Sequence, residues 1–248
     1  MSFFDGVKLV ISEYWPLFIR GIVTTMIISI IGTIAGFVIG LIVGVIRTIP
    51  ERKDSKLLNK ILLKTAKFIC AAYVEVFRGT PLIIQAAVIY YGIFMGIDID
   101  IMLCALLIVS INTGAYMAEI VRGGILSVDK GQTEGAMSLG MSHLQCMVSV
   151  ILPQAIRNVM PSVGNEFVVN IKDTSVLNVI GVSELYFQAK SAAGTYSMFF
   201  ESFCVAAVIY FVLTFIVSTV LRMIERKLAG ASTYKLLSEE TAGEDNVK

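Results

Sequence analysis

Long uncharged hydrophobic runs, joined by short polar segments, dominate the pattern of this chain. Residues 21–46, 79–97, 101–118 and 202–221 carry no charged side chain. A helix needs roughly 20 apolar residues to cross the hydrocarbon core of a bilayer, and each of these stretches approaches or exceeds that length. The pattern therefore predicts four clear membrane-spanning helices in an all-α integral membrane protein.

Two stretches of mixed character complete the predicted topology. Lysines recur at three- and four-residue steps over residues 53–67, which is the spacing of one helix face, so the second span is expected to begin in this stretch. A break is expected at 79–81 (Gly-Thr-Pro), because proline removes a backbone donor and clashes with the preceding turn. Residues 153–180 form the remaining predicted span. This span must face protein or water rather than lipid, because it carries Arg157, Glu166, Lys172 and Asp173.

The distribution of lysine and arginine predicts which side of the membrane each loop occupies. Segments 47–67, 122–149 and the tail from residue 222 carry seven, two and five of them, whereas residues 1–20, 92–100 and 181–200 carry two, none and one. The N-terminus is therefore expected outside and the C-terminus in the cytoplasm, which requires an odd number of spans. The five predicted spans cover residues 19–47, 61–95 (with the break at 79–81), 101–122, 153–180 and 201–224.

The two ends of the chain are expected to lie outside these spans. Tyr14 and Trp15, beside Pro16, predict an extracytoplasmic interfacial segment over residues 1–18, because aromatic side chains favour the headgroup region. Residues 229–248 are polar and are expected to form a cytoplasmic tail.

Composition supports the membrane assignment and excludes several kinds of chemistry. Hydrophobic residues make up 56% of the 248 residues and charged residues 16%, compared with about 45–50% and about 25% in soluble domains. The net charge of +1 offers no footprint for nucleic acid. No nucleotide-binding G-x-x-x-x-G-K-[ST] motif occurs, and with a single histidine and no paired cysteines the sequence predicts neither a metal site nor a catalytic set.

Two features predict packing rather than chemistry. Glycine recurs at every fourth position from Gly32 to Gly44, a spacing that lets another helix approach closely in lipid. The partner helix could belong to the same subunit or to a second one, and the spacing does not decide between them. Two pairs of opposite charge at i, i+3 are expected to form structural ion pairs, namely Glu75 with Arg78 and Glu119 with Arg122.

The most informative stretch is the predicted cytoplasmic segment from Glu134 to Pro153. It is uncharged after its first residue, contains Gly135 and Gly140, and ends in a proline. Its composition is compatible with a short helix at the membrane surface that docks a partner, or with a plain surface loop. A secondary transporter or channel that works alone is the alternative function, and such a protein has no use for a docking segment.

The same segment resembles the cytoplasmic loop of ATP-binding-cassette (ABC) importer permeases, whose pattern is E-A-A, three residues, G, nine residues, I-x-L-P. The chain has Glu134-Gly135-Ala136, then Gly140, then Val150-Ile151-Leu152-Pro153, with glycine and valine as two mild departures. Residues 73–85, 115–136 and 152–177 resemble the branch that imports polar amino acids of the histidine, glutamine and arginine type. The resemblance implies the type I importer permease fold, with the ABC transmembrane type-1 domain over residues 19–228.

The resemblance also implies how the chain is driven. A cytoplasmic coupling segment, 129–149, would sit in a groove of a separate ATPase subunit, with Gly140 leaving room for close approach and Glu134 giving a polar contact or a helix cap. Leu152 and Pro153 would fix the turn into the fourth span, and His143 is expected on the surface that faces the ATPase. The implied coupling residues are Glu134, Gly135, Ala136, Gly140, His143, Leu152 and Pro153.

The partners follow from the same resemblance. A dimer of ATPase subunits would bind ATP and Mg²⁺, so this chain would bind no cofactor and would not be an enzyme by itself. A second permease subunit, either a copy or a sister chain, would complete the pathway in the bacterial plasma (inner) membrane. An extracytoplasmic binding protein or lipoprotein would deliver the amino acid.

Two adjoining faces of the fourth predicted span are candidates for the substrate site. Asn165, Val169 and Lys172 fall at i, i+4 and i+7, and Glu166, Asn170 and Asp173 fall beside them at the same steps. An amino acid needs acceptors for its ammonium group and donors for its carboxylate, and a polar helix at mid-membrane depth can supply both. The candidate substrate residues are Asn165, Glu166, Val169, Lys172 and Asp173; alternatively, Lys172 and Asp173 cap or pair at the end of the span.

Overall fold

A computed structural model describes residues 2–51 and 56–229, and its regular elements within these ranges are all helical. The all-α fold predicted from the sequence is thereby confirmed. The helices are α1 (Phe3–Thr48), α2 (Leu57–Gly79), α3 (Leu82–Ile89), α4 (Ile101–Leu126), α5 (Lys130–Ser138), α6 (His143–Cys146), α7 (Leu152–Asp173), α8 (Leu185–Tyr196) and α9 (Phe199–Ala229). A π-helical turn follows α3 (Tyr90–Phe94), another joins α6 to α7 (Met147–Ile151), and a 3₁₀ segment continues α7 (Thr174–Ile180). The predicted tail lies outside the described residues from position 230 onward.

Three of these helices are long and apolar enough to cross a membrane, namely Phe3–Thr48, Ile101–Leu126 and Phe199–Lys227. Helix α2 and the helical stretch Leu82–Phe94 are also long and apolar enough when taken together. The two are bent by 112° relative to each other. The bend falls at Gly79-Thr80-Pro81, where the sequence predicts a break, and Pro81 precedes the first residue of α3.

The fourth predicted span, residues 153–180, is not among these apolar helices. Charged and polar side chains make α7 less apolar than the other long helices, and the chain tightens into the 3₁₀ segment at Thr174. Helix α7 packs against α1, α4 and α9, with Val159, Asn170 and Ile171 buried. Packing against protein is what the sequence predicts for a helix of this polarity, while the five-span topology and its orientation stay predictions.

The N-terminal segment differs from the sequence-based expectation. Residues 2–18 do not form a unit separate from the first span, because α1 begins at Phe3 and continues through Pro16. A capping box between Ser2 and Asp5 starts the helix. Val10 and Phe18 are fully buried in a cluster with residues of α8 and α9, and this packing offsets the backbone hydrogen bond that Pro16 removes.

The glycine ladder packs within the subunit, against α4. Gly32, Gly36, Gly40 and Gly44 oppose Val109, Thr113, Met117 and Val121 in the same order along both helices, so α1 and α4 run parallel. A Cβ atom on Gly40 would lie 2.7 Å from the carbonyl carbon of Met117 and 2.8 Å from the amide nitrogen of Ala118. The two backbones therefore touch directly, which only glycine permits. The sequence leaves open whether the ladder packs within the subunit or against a second one, and this contact shows packing within the subunit.

A buried hydrogen-bond network joins the ladder to α7. The Asn170 Nδ2 group donates to Thr33 Oγ1 at 2.8 Å, and Thr113 Oγ1 donates to Asn170 Oδ1 at 3.0 Å. All three side chains are buried, so each polar atom pairs away from water. Helices α1, α4 and α7 thus form one packed unit around Asn170.

Glu184 holds α8 against α9. Its fully buried carboxylate accepts from the backbone N–H groups of Tyr186 and Phe187 at 2.8 Å each, and from the hydroxyl of Tyr210 at 2.8 Å. The carboxylate therefore caps α8 and fixes it to α9 through a single side chain.

Candidate functional site

The coupling segment folds as a helix–turn–helix. The Asp129 side chain accepts from the Gly131 N–H at 2.7 Å and starts α5. At the other end Gly140 has a φ of 81°, its N–H donates to Met137 at 3.0 Å, and the Met141 N–H donates to Ala136 at 3.2 Å. These two bonds define a Schellman turn, which closes the helix through a left-handed residue.

The left-handed backbone conformation at position 140 therefore favours glycine. Among the described residues, no atom lies within 4 Å of a Cβ atom built at this position. Any cost of a side chain within the subunit therefore comes from the left-handed conformation, which non-glycine residues other than asparagine and aspartate rarely adopt. The turn supplies a reason for glycine that the sequence pattern alone does not give.

Local sequence also fixes the second half of the segment. Ser142 and Gln145 form a capping box that starts α6, with the Gln145 N–H donating to Ser142 Oγ at 3.3 Å and the Ser142 N–H donating to Gln145 Oε1 at 2.8 Å. Pro153 lies at the start of α7, directly after the π-helical turn Met147–Ile151, where the hydrogen-bond ladder already departs from the α-helical pattern. Glycine, serine and proline therefore set the positions of the turns.

The inner side of the segment is fixed to the helical bundle. Ala136, Met147 and Ile151 are buried in one apolar cluster with Val121 of α4 and Ala155 of α7. Of the predicted coupling residues, Ala136 therefore faces the core of its own subunit. Glu134, Gly135, Gly140 and Pro153 are exposed, and Leu152 is partly buried.

Large apolar side chains project from the outer side of the segment. Leu139 is 84% exposed and Leu144 is 72% exposed, on either side of the left-handed Gly140, and Met137 and Val148 are exposed beside them. Exposed apolar side chains of this size make this part of the surface a candidate for contact with another molecule. The sequence analysis missed them, although apolar residues next to the motif glycine are a visible signal. We call Met137, Leu139, Leu144 and Val148 the leucine surface.

His143 lies partly inside the subunit rather than wholly on the surface. It lines a cavity of about 210 Å³ between the ends of α1 and α4 and the helices α5 and α6, together with Thr48, Lys130 and Thr133. Its Nε2 atom is buried and has no hydrogen-bond partner within residues 2–51 and 56–229.

A carboxylate between two arginines ties α1 to α4 near the coupling segment. Arg122 donates to Glu119 through Nε at 3.0 Å and Nη2 at 2.8 Å, which confirms the predicted pair. Arg47 of α1 binds the other carboxylate oxygen, a contact that sequence spacing cannot reveal.

The other predicted ion pair does not form. Glu75 makes no salt bridge in the part of the chain that the structure describes, and the Arg78 guanidinium instead lies 5.7 Å from the ring centroid of Tyr116. Arg78 is the second-last residue of α2, so it projects beside the bend toward α4, where the aromatic face attracts its cation.

Gln85 holds the bend itself. Its Nε2 group donates to the carbonyl oxygens of Phe77 at 2.8 Å and Thr80 at 2.9 Å, and to Thr80 Oγ1 at 2.8 Å. Its Oε1 accepts from Asn112 Nδ2 of α4 at 2.8 Å. The buried Gln85 thereby pairs carbonyls at the end of α2 and joins the bend to α4.

Charged side chains of α7 lie within electrostatic range of Arg78 at the end of α2. Glu166 is partly buried and within electrostatic range of Arg78 and Asp173, and Asp173 interacts with Lys172. Of the predicted substrate residues, the structure therefore brings together Glu166, Asp173 and Lys172, and adds Arg78. Asn165 is exposed and Val169 is partly buried, while Asn170 belongs to the core network.

Apolar helices of membrane length, an inner helix that carries charged side chains and an exposed apolar surface on the coupling segment are the features expected of a membrane transport subunit. Residues 62–230 match the family described as binding-protein-dependent transport system inner membrane component. The chain is 37% identical over 223 residues to the glutamine transport system permease protein GlnP of Escherichia coli, covering 88% of this chain and 96% of that protein. It is also 37% identical over 158 residues to the arginine transport system permease protein ArtQ of Bacillus subtilis, covering 63% and 72%.

Solved structures agree with this assignment. The crystal structure of an amino acid ABC transporter with histidines matches with a TM-score of 0.77 and 37% identity, over 92% of this chain and 99% of that one. The inward-facing methionine transporter MetNI shares the fold, with a TM-score of 0.69 and 20% identity over 86% and 96%. The chain belongs to the family of binding-protein-dependent transport system inner membrane components. It is a multi-pass membrane permease of the ABC importer type, and the stand-alone carrier is set aside.

Proposed function

We propose that this chain is the permease subunit of an importer for a polar amino acid, driven by a separate ATPase that docks on the leucine surface. The observation that carries the proposal is the pair Leu139 and Leu144, exposed on either side of Gly140 at the position of the family motif. The permeases for glutamine and arginine among the relatives, and the transporter solved with histidines, support an amino acid as the substrate.

The geometry suggests how force from the ATPase reaches the pathway. The outer side of the segment would contact the ATPase through the leucine surface and Glu134, while its inner side is packed on α4 and α7 through Ala136 and Met147. A movement of the segment would therefore move both helices as a packed unit. ATP binding by the partner would shift a pre-existing equilibrium between inward-open and outward-open forms.

The remaining parts of the importer would lie in other chains. The ATPase subunits would hold ATP and Mg²⁺, so this chain would bind no cofactor and catalyse no reaction itself. A second permease subunit, a copy or a sister chain, would bring the pathway to ten spans. The coupling segment would face the cytoplasm and the N-terminus the outside, where a binding protein or lipoprotein would deliver the amino acid.

The charged side chains of α2 and α7 suit an amino acid zwitterion. The Arg78 guanidinium can bind a carboxylate, and the carboxylates of Glu166 and Asp173 can bind an ammonium group. Lys172 would balance the second carboxylate, and Asn165 and Val169 would line the pathway beside it. Both charges of the substrate would then be met by side chains of α2 and α7.

We expect Glu166→Gln and Arg78→Gln each to raise the KM for uptake by about 10- to 100-fold, because a hydrogen bond to a charged group contributes about 1.5–3 kcal/mol. Uptake of radiolabelled amino acids into proteoliposomes of the whole importer measures this change. The control is Glu13→Gln, which removes an exposed carboxylate of α1 and is expected to leave the KM unchanged. An unchanged KM in both variants would remove these side chains from the substrate site.

A further inference from the structure

A row of lysines runs along one face at the start of α2. Lys56, Lys60, Lys64 and Lys67 follow one another at steps of four, four and three residues, which is the spacing of neighbours on one side of a helix. Lys56 and Lys64 are exposed, and Lys67 is partly buried. These three form no salt bridge within residues 2–51 and 56–229. We call the four residues the lysine row.

No acidic side chain of α2 offsets the lysine row. The first turn of the helix contains no acidic residue, and the first one after Lys56 is Glu75. Lys56 occupies the N-cap position without a side-chain cap hydrogen bond, so the positive end of the helix dipole adds to the charge of the lysines. Anions from outside the helix are therefore attracted to this face.

The opposite face of the same turns is apolar and exposed. Leu58, Leu62 and Ile69 each follow a lysine of the row by two residues, and at roughly 100° per residue this places them on the other side of the helix. They are 67%, 59% and 61% exposed. None of residues 57–73 is buried, since the buried residue of α2 is Val74, further along. The start of α2 is thus an amphipathic helix with both faces open.

An amphipathic helix of this kind settles where lipid headgroups meet acyl chains. Helix α2 and Leu82–Phe94 are together apolar enough to cross a membrane, whereas the lysines need water or headgroups around their ammonium groups. Pro50, six residues before Lys56, lines a cavity together with Thr133 and His143 of the coupling segment. The lysine row therefore lies toward the coupling-segment end of the helical bundle.

We propose that the lysine row binds the headgroups of anionic phospholipids, while Leu58, Leu62 and Ile69 lie among the acyl chains. A row of positive charge on one face and an apolar surface on the other complements a molecule that has both a negative phosphate and hydrocarbon chains. An acidic protein surface would match the lysines alone and leave the apolar face without a partner. Where the coupling segment faces the cytoplasm, as proposed above, these lipids belong to the inner leaflet, and the binding itself does not depend on that orientation.

Bromine on acyl chains quenches a nearby tryptophan and so reports which lipid lies beside the row. Trp15 is the sole tryptophan of the chain, so a Trp15→Phe background accepts one new reporter. The reporter is Phe68→Trp, four residues after Lys64 and 74% exposed, and the control reporter is Phe211→Trp, 67% exposed on α9.

Intact importer complexes are placed in nanodiscs of fixed phosphatidylcholine and phosphatidylglycerol content. The same minor fraction of lipid is brominated, either as phosphatidylglycerol or as phosphatidylcholine. Subtracting the emission of the complex without a reporter removes the signal of the partner subunits.

We expect brominated phosphatidylglycerol to quench the reporter at position 68 several-fold more than brominated phosphatidylcholine, and the two lipids to quench the reporter at position 211 to a similar extent. The preference at position 68 is expected to disappear in Lys56→Gln/Lys64→Gln and to persist in Lys56→Arg/Lys64→Arg, which keeps the charge. It is also expected to persist in the control Lys8→Gln/Lys190→Gln, which removes two exposed lysines elsewhere.

Equal quenching by the two lipids at position 68 would overturn the proposal, because the lysine row would then contact bulk lipid only. A preference that survives Lys56→Gln/Lys64→Gln would overturn it as well, since the lysines would not be its cause. Absence of quenching at position 68 in fully brominated bilayers would also contradict it, because a protein surface would then cover the row.

Discussion

Replacement of Gly140 by valine is expected to abolish uptake while the subunit remains in the membrane at its normal amount. The residue has a φ of 81°, and a left-handed conformation costs an L-amino acid about 1–2 kcal/mol, with β-branched residues at the upper end. The Schellman turn would open, and Leu139 and Leu144 would lose their fixed relative position. Uptake by membrane vesicles, normalised to subunit content by immunoblot, measures the effect.

Two further substitutions separate backbone strain from lack of space. Asparagine tolerates the left-handed conformation better than alanine does, although its side chain is larger. We expect Gly140→Asn to retain more uptake than Gly140→Ala. Gly135→Ala is the matched control, because this exposed helical position has no atom within 4 Å of an added Cβ among the described residues and alanine favours a helix. Higher uptake in Gly140→Ala than in Gly140→Asn would show that space at the docked surface, and not the turn, requires glycine.

Replacement of Gly40 by leucine is expected to prevent stable folding altogether. An added Cβ would overlap Met117 and the backbone of α4, and a backbone contact cannot move aside as a flexible side chain can. Overpacking costs typically about 1–3 kcal/mol where side chains adjust, and more where helices must separate. We expect little or no monodisperse protein by size-exclusion chromatography after detergent extraction.

Gly123→Leu is the control for this prediction. Gly123 is also a helical glycine, in α4, but an added Cβ there meets no described atom within 4 Å. We expect its yield and chromatographic profile to match the wild type. A folded Gly40→Leu subunit with normal yield would contradict the direct contact between α1 and α4.

The sequence predicted the helices and the break well, because both depend on local properties. Uncharged runs mark apolar helices, and a proline after glycine marks the bend at Pro81. The sequence did not predict that α1 continues through Pro16, because the packing of Val10 and Phe18 on α8 and α9 is a tertiary effect. Nor could spacing alone decide that the glycine ladder packs on α4.

The roles of the predicted site residues stay predictions, and what the sequence misses are the contacts that other helices make with them. The motif located Glu134 and Gly140. Periodicity placed Asn170 on the face of Glu166, yet Asn170 turns to Thr33 and Thr113 in the core. The roles of Arg78, Gln85 and Arg47 depend on contacts across the bend and between helices, so no local pattern indicates them.

The central claim is that the leucine surface docks an ATPase, and co-purification tests it most directly. The complex is extracted from native membranes in mild detergent and its subunits are identified and counted by mass spectrometry. The comparison is between wild type, Leu139→Asp/Leu144→Asp, and the control Met95→Asp/Ile97→Asp, which places the same charges on exposed residues of the α3–α4 connection.

Burial of a leucine side chain contributes about 1.5–3 kcal/mol, so loss of both is expected to weaken binding more than about 100-fold. The account predicts an ATPase with the wild type and with the control, and none with the Leu139→Asp/Leu144→Asp variant. An ATPase retained by that variant at wild-type stoichiometry would contradict the docking surface. A well-folded wild-type subunit that yields no ATPase would contradict the ATP-driven importer itself.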